Sequence, residues 1–428
     1  MIDLLKKYAA KLVASGLCKA HEPLFLAVDD ALVWNRPATP EADLRRQLLE
    51  GVLERLHVTS LLLARPTGVY QAVLAELARQ ALADASSGGP SSITPGDCET
   101  RTFLHDLPVL DELTPGAVAE ALGRRKGCVV LHGGEAYIAA YGTVSPEQAY
   151  VTFSSMCFAS FVAYFAQYLR RLRSLGASGA DTEPQRAAFA RIAAMIPPDR
   201  ADPPALRPGP FADEDPARAA IIEAGRLTVE YGLVDSYFGN ISYRLPSQSA
   251  NVADTILISQ TGSSLDELAP CIDPCRMDGG TCAGLTASSE FSAHKAIYEG
   301  ETEQGARAIL HGHPRFSVIV SLDCDKLGCE LEGQCHRACA TPRCVGGADS
   351  CLFVPIVPGE VGTGPFGLCN TLPPAILGTS GTRRGVIVYG HGLFALGAAD
   401  FREAFVTLMD VERFCREEYF RRVAALGG

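Results

Sequence analysis

The sequence predicts an α/β fold, a central sheet layered between helices and present twice in the chain. Three observations carry this. Apolar, β-branched runs are each followed by a helical segment, as Gly127-Cys128-Val129-Val130 is by Ala149–Phe153 and Gly385-Val386-Ile387-Val388 by Ala404–Leu408. The segments recur in the same order at nearly constant spacing. A Pro/Gly-rich stretch separates the two halves.

The chain has 428 residues, 47% hydrophobic and 20% charged, enough apolar material for two cores and too much for a disordered chain. Its net charge of −11 argues against sequence-independent nucleic-acid binding, which needs a basic face. No 18 uninterrupted apolar residues occur, so no membrane span is expected. Lys6, Lys7 and Lys11 interrupt the N-terminal segment, which fits an amphipathic helix with Leu4, Leu5, Tyr8 and Leu12 on one face rather than a secretory signal. A cytoplasmic protein is the resulting expectation.

The domains read as 1–174, a linker over 175–217 with a short helix at Glu183–Met195, and 218–428. A second loop is expected from Ala85 to Gly96. The repeat pairs Glu41 and Glu50-Gly51 with Glu290 and Glu299-Gly300, and Leu63-Ala64-Arg65-Pro66 with His311-Gly312-His313-Pro314. It also pairs Arg124–Val130 with Thr382–Val388, and Ala149–Phe153 with Ala404–Leu408. The decisive difference is chemical. Where the second half has two histidines the first has Leu63 and Arg65, so the first half reads as a copy without metal ligands.

Alternate residues of a strand point to one side. His311 and His313, at the end of the apolar run Ala308–Leu310, can therefore present two imidazoles to one ion. A third apolar run ends in Gly390-His391-Gly392, where the flanking glycines leave the imidazole unobstructed. Glu290 follows Ser288-Ser289 at the start of a helix. That pattern suits helix capping and metal ligation alike.

Five ordered segments resemble the class II aldolase/adducin family, the fold of fuculose-phosphate and rhamnulose-phosphate aldolases, over about residues 219–422. They are Gly239-Asn240-Ile241-Ser242, Ser259-Gln260-Thr261-Gly262, Ser288-Ser289-Glu290 with His294 and Ile297-Tyr298, His311-Gly312-His313-Pro314, and Gly390-His391-Gly392. The resemblance implies a layered α/β/α domain with a largely antiparallel sheet. It implies a divalent metal, zinc first, on His311, His313 and His391, with Glu290 as ligand and general acid/base whose pKa burial would raise. It implies that Gly239, Asn240, Thr261, Gly262, Ser288 and Ser289 bind a substrate phosphate. The implied reaction is metal-dependent C–C cleavage or formation on a phosphorylated sugar or related hydroxy-carbonyl compound, the metal stabilising an enediolate. Epimerase, dehydratase and decarboxylase chemistry use the same ligands, and an adducin-like binding or assembly protein is the non-catalytic alternative. The family's four-fold assemblies imply a homo-oligomer, here a dimer imitating a tetramer, with the first half as structural partner. Glu41 is the one retained acidic candidate in that half.

The family pattern does not account for the cysteines. Ten of the 15 fall between Cys271 and Cys369. Three readings stand open: a second zinc or iron–sulfur centre, disulfides, or free thiols. The ligand candidates are Cys271, Cys275, Cys282, Cys335, Cys339 and Cys344, although no segment has the Cys-x2-Cys spacing of a zinc ribbon.

Overall fold

The structure is a computed structural model. It describes residues 1–427 except 87, 89–90, 176–182, 236, 248–252, 280–285, 301–304, 325, 327–328, 332–333, 340–342, 347–353 and 379–383; of residues 40–43 and 337–338 it describes the backbone alone. The chain divides into two compact units, 1–171 with 175–198, and 172–174 with 199–428. The boundary thus falls inside the stretch expected as a linker, and both sides of that stretch are packed.

Unit 1 starts with α1 (Ile2–Ala14), which buries Leu5, Tyr8 and Leu12; Leu4 is exposed, so the apolar face is narrower than its sequence suggests. β1 (Leu24–Val28) and β2 (Leu32–Trp34) follow, then α2 (Pro40–Leu53), β3 (Ser60–Ala64) and α3 (Gly68–Ser86). The chain continues through β4 (Ser92–Ile93), α4 (Cys98–Leu104), β5 (Leu107–Leu110), α5 (Pro115–Arg124), β6 (Gly127–His132) and β7 (Glu135–Gly142). It ends with α6 (Pro146–Leu175) and α7 (Glu183–Ala193), the helix expected in the linker, which docks Phe189 flat on Tyr168 of α6 at 3.9 Å. α6 is long and apolar enough to cross a membrane, yet 89% of its most apolar window is buried inside the protein, as befits a core helix.

Unit 2 has α8 (Glu214–Glu230), β8 (Asn240–Leu245), β9 (Thr255–Ser259), β10 (Ile272–Arg276), α9 (Phe291–Gly300), β11 (Ala308–Gly312) and α10 (Arg315–Leu322). Then come α11 (Cys335–Ala338), β12 (Arg343–Val345), β13 (Val354–Val357), α12 (Leu368–Leu377), β14 (Gly385–Val388), β15 (Gly392–Gly397) and α13 (Phe401–Gly427). Ahead of α8, Phe211 is buried and its N–H donates to the Tyr243 hydroxyl at 2.9 Å, tying this stretch to the sheet.

The sheet of unit 1 has the order β2-β1-β3-β7-β6-β5-β4 and that of unit 2 the order β10-β9-β8-β11-β15-β14-β13-β12. Set β2 against β9, and seven strands correspond in order and direction. All pairs are antiparallel except β5–β6 and β13–β14. Each sheet is therefore mixed, with a single parallel pair. The register agrees as well: Leu24 faces Leu63 where Asn240 faces His311, and Gly127 faces Ala140 where Gly385 faces Ala395.

Side-chain alternation divides the faces of the second sheet. Ile256, Ile258, Ile309, Val386, Val388 and Phe394 form one core with Ala293, Ile297 and Tyr298 of α9 and Leu372 and Ile376 of α12. His311, two residues after Ile309, lies on this same face, and that is what points its imidazole toward α9.

Both sheets also need an absent side chain at one place. A Cβ on Gly142, the last residue of β7, would lie 2.0 Å from the Ser145 carbonyl oxygen, and one on Gly397, the last of β15, 1.9 Å from that of Asp400. These carbonyls belong to the turns into α6 and α13. Alanine at either position is expected to destabilise its own unit by about 2 kcal/mol or more, because the clash is with backbone. Urea denaturation of Gly142→Ala and Gly397→Ala checks this; unchanged midpoints would refute the close approach.

Candidate metal centre

His311 ends β11, His313 follows it by two residues, and His391 sits in the three-residue turn between β14 and β15. Since β11 and β15 are neighbours, the pairing of two central strands brings the three histidines together. One nitrogen from each lies within 4.8 Å of the others, and all three side chains are buried. His311 Nε2 and His313 Nε2 are 3.1 Å apart. Two imidazole nitrogens on a tetrahedral zinc are separated by about 3.3 Å, given bonds of about 2.0–2.1 Å.

Each ring is aimed by its neighbours. His311 donates from Nδ1 to the Leu393 carbonyl at 3.1 Å and stacks on Phe394 at 3.9 Å, leaving Nε2 as the inward-facing acceptor. His313 lies parallel to the Phe238 ring. Gly392 leaves the space the rings occupy: its Cβ would fall 2.7 Å from His311 Cε1 and 2.9 Å from His313 Cδ2. Gly239, at φ +76°, presses its backbone against the His311 carbonyl, where a Cβ would lie at 2.4 Å.

Glu290 faces the same point. Its Oε1 is 3.0 Å from His391 Nε2 and its Oε2 is 3.5 Å from His311 Nε2. Asn240 Nδ2 donates to Oε2 at 2.5 Å. Burial alone would raise this carboxyl. The facing His311 and His391 and the hydrogen bonds from His391 and Asn240 outweigh it and hold Glu290 below the ordinary carboxylate range. This corrects the expectation of a raised pKa, which counted burial and not the donors. Burial pushes His311 down to about 4 and His313 well below its usual value. An ionised carboxylate beside the neutral imidazoles of His311 and His313 is the donor set a divalent cation requires, so the residues present fit a metal.

Behind Glu290 runs a buried chain of hydrogen bonds with one consistent set of proton positions. Asn240 gives its N–H to Glu290, so its Oδ1 accepts from His294 Nε2 at 2.6 Å. His294 Nδ1 then accepts from the Ser242 hydroxyl at 2.7 Å, and Ser242 Oγ lies 2.9 Å from the Tyr298 hydroxyl. Burial holds His294 down at about 3, which keeps it neutral as this chain demands. Asn240 therefore links Glu290 to His294 through the two ends of its amide. The sequence reading quoted His294 without giving it a role. Its position one helical turn after Glu290 was the available signal.

Four of the other expected phosphate residues gather at one place. A bridge between Gln260 and Ala287 sets Thr261 and Gly262 beside Ser288 and Ser289. Thr261, Gly262 and Ser289 are exposed, and the Ser288 hydroxyl accepts from the Glu290 N–H at 3.3 Å.

The cysteines do not gather. Cys271 and Cys275 belong to the β10 edge of the sheet and Cys344 to the β12 edge, with six strands between them. At about 4.8 Å per strand this separation is on the order of 30 Å. A centre drawing on both loops is thus excluded for these residues, which corrects that expectation. Cys275 is instead a core residue whose thiol burial pushes up to about 11. Cys335 starts α11 and Cys339 caps it; Cys282 lies outside the described residues. Among the described residues no disulfide forms, and the three histidines are the one group able to hold a metal, so an iron–sulfur centre has no support. The Glu41 side chain also lies outside the description.

Residues 219–419 match the family described as Class II Aldolase and Adducin N-terminal domain. A methylthioribulose-1-phosphate dehydratase from a Bradyrhizobium species is 28% identical over 185 residues, 42% of this chain and 79% of that protein. Among solved structures, an L-fuculose-1-phosphate aldolase from Thermus thermophilus is 24% identical, covering 50% of this chain and 98% of that one, with a TM-score of 0.36. A sugar-phosphate aldolase from Thermotoga maritima is 20% identical, covering 50% and 96%, with a TM-score of 0.37.

Two outcomes are expected of this centre. Gly392→Ala should weaken divalent-metal affinity by about 10–100-fold, as displaced ligand supports do; competition with a zinc-chelating dye measures it. The metal-free protein should lose stability in mild acid. His311 and His294 have an ordinary pKa of 6.5 and folded values of about 4 and about 3, so below pH 6.5 the unfolded chain binds more protons. Stability should fall by up to about 1.4 kcal/mol per pH unit for each, from 6.5 down to those folded values. Glu290 adds to the loss below its ordinary 4.5, because its lowered pKa stabilises the fold only while it is ionised. Urea midpoints from pH 8 to 4 test this, and a flat profile would contradict buried neutral imidazoles.

Proposed function

We propose that this chain, whose residues 219–419 belong to the class II aldolase and adducin family, is a metal-dependent lyase acting on a phosphorylated sugar or a related hydroxy-carbonyl compound. The observation that carries the reading is the convergence of His311, His313 and His391 with Glu290 in one buried site. A bound divalent metal, zinc first, supplies Lewis-acid polarisation of substrate oxygens. His311, His313 and His391 hold it, and Glu290 stands at its edge. Glu290 is the catalytic base that takes a proton beside the substrate carbonyl. Asn240 keeps this carboxylate oriented and ionised. Thr261, Gly262, Ser288 and Ser289, with the backbone at Gly239, bind the phosphate through hydroxyls, turn N–H groups and the start of α9.

An ionised Glu290 favours reactions that begin by removing a proton from carbon. Elimination of water fits this as well as aldol condensation does. The similarity to a methylthioribulose-1-phosphate dehydratase gives that second reading its own support. In elimination the C–H proton goes to Glu290, a C=C bond forms as the C–O bond breaks, and the departing hydroxide takes that proton from Glu290 and leaves as water.

We read unit 1 as a degenerate copy of the same domain, on the strength of the matching strand order and register. In it Leu63 and Arg65 replace the first two ligands. Association into homo-oligomers belongs to this reading.

The test is elemental analysis followed by turnover on a panel of ketose 1-phosphates, including fuculose 1-phosphate and methylthioribulose 1-phosphate. About one zinc, manganese or iron per chain is expected, lost in His311→Ala. Glu290→Gln should reduce turnover by about 10²–10⁴-fold. Release of dihydroxyacetone phosphate marks C–C cleavage, and a dehydrated phosphate ester marks elimination. Failure to bind metal under any loading condition would overturn the lyase.

A further inference from the structure

Two short segments of unit 2, one after β9 and one before α9, are laced together by backbone. The Ser288 N–H donates to the Ser259 carbonyl at 3.0 Å and the Thr261 N–H to the Thr286 carbonyl at 2.9 Å, on either side of the Gln260–Ala287 bridge. This lacing spends those donors and leaves others. Gly262, at φ +67°, takes the third position of a turn closed by the Ser263 N–H on the Gln260 carbonyl at 3.2 Å. The Thr261 hydroxyl, the Gly262 N–H and the N–H and hydroxyl of Ser289 make no hydrogen bond among the described residues. All three residues are exposed.

Behind the lacing sits a carboxylate. Asp273 of β10 pairs with Ile258 of β9, on the sheet face that α9 covers, and is 5% exposed. Its Oδ1 accepts from Gln260 Nε2 at 2.8 Å and its Oδ2 from the Thr286 hydroxyl at 2.5 Å. One oxygen thus holds each segment. A carboxylate accepts hydrogen bonds and donates none, so both partners are committed in direction. Among the described residues both are neutral, and Asp273 forms no ion pair. An apolar side chain would serve the core here at less cost than a carboxylate held by neutral donors. What the carboxylate adds is the tie between the two segments.

We propose that Asp273 is a positioning residue for phosphate recognition, clamping the Thr261–Gly262 turn to the Thr286–Ser289 segment so that their free donors face one anion. The inference rests on the reading of these segments as the phosphate site. Asp273 acts through Gln260 and Thr286 and does not itself touch the anion. Because the Ser288 hydroxyl accepts from the Glu290 N–H, the clamped segment runs directly into the base, and the clamp sets the spacing between phosphate and Glu290. A negative charge behind an anion site is unfavourable in itself. Charge and clamp therefore predict opposite results when the charge is removed and the hydrogen bonds are kept.

The probe is inorganic phosphate, titrated calorimetrically into the full chain at low ionic strength. Asp273→Ala, Asp273→Asn and the double variant Thr261→Ala with Ser289→Ala accompany the natural protein. The double variant should lose phosphate binding, which assigns the anion to these segments. Asp273→Ala removes both ties and should weaken binding at least about tenfold, the worth of one hydrogen bond to a charged group. Asp273→Asn keeps an acceptor for Gln260 and offers an N–H to the Thr286 hydroxyl, so it should bind as tightly as the natural protein or more tightly. Zinc affinity, read by dye competition, should be unchanged in all three variants. Equal phosphate binding by Asp273→Ala overturns the clamp. So does an Asp273→Asn variant as weak as the alanine one, or a parallel loss of zinc affinity in Asp273→Ala, which would report a general disturbance of unit 2. Phosphate binding retained by the double variant, or absent from the natural protein, refutes the phosphate reading itself, and the clamp falls with it.

Discussion

Three imidazoles and a carboxylate share one buried volume in unit 2, and the surrounding structure is arranged around making that tolerable. A buried ionised group left without partners costs several kcal/mol. Glu290 has Asn240, His391 and His311 against it. Asn240 in turn is fixed by His294, and His294 by Ser242. The demand for donors therefore passes from the site into the sheet and the first two turns of α9, so that polar residues occupy what would otherwise be core positions. The same demand explains the glycines at 239 and 392, where backbone must reach the rings and a Cβ cannot fit.

The two units answer this demand differently on one topology. Where unit 2 has His311 against Asn240, unit 1 has Leu63 against Leu24, an apolar pair that needs no partner. The polar groups nearby are Glu22 and Arg65, which pair with each other. The requirements of folding, by contrast, recur in both: the single parallel pair, the register of the last hairpin, and the bare strand ends at Gly142 and Gly397. Chemistry and architecture are separable constraints here: the two units share the strand order and differ in the side chains at the centre.

Much of this was legible in the sequence because it is local. The His311–His313 spacing on a strand, the glycines around His391, and α7 inside a Pro/Gly-rich stretch are short-range signals. The misreadings have a common cause, which is tertiary context. Leu4 belongs to an apolar pattern, but the neighbouring surface covers only Leu5, Tyr8 and Leu12. The direction of the Glu290 shift depends on donors from β8 and the β14–β15 turn, far away in sequence. The cysteine cluster is compact in sequence and dispersed in space, because strand order sends β10 and β12 to opposite edges.

Strand order also governs when each sheet can close during synthesis. In both units the last strand made lies in the middle of the finished sheet, β7 between β3 and β6, and β15 between β11 and β14. Until it emerges from the ribosome, two half-sheets stand apart with open edges. The first sheet can close once Gly142 has cleared the exit tunnel, while unit 2 is still being translated. The second must wait for residues 385–397, with His311 and His313 already outside and His391 arriving among the last. At about 5–20 residues per second, a nascent chain displays an incomplete pair of ligands for several seconds before the third histidine fixes their geometry. His391 is thus the last of the four converging groups to arrive, and the site cannot close before it does.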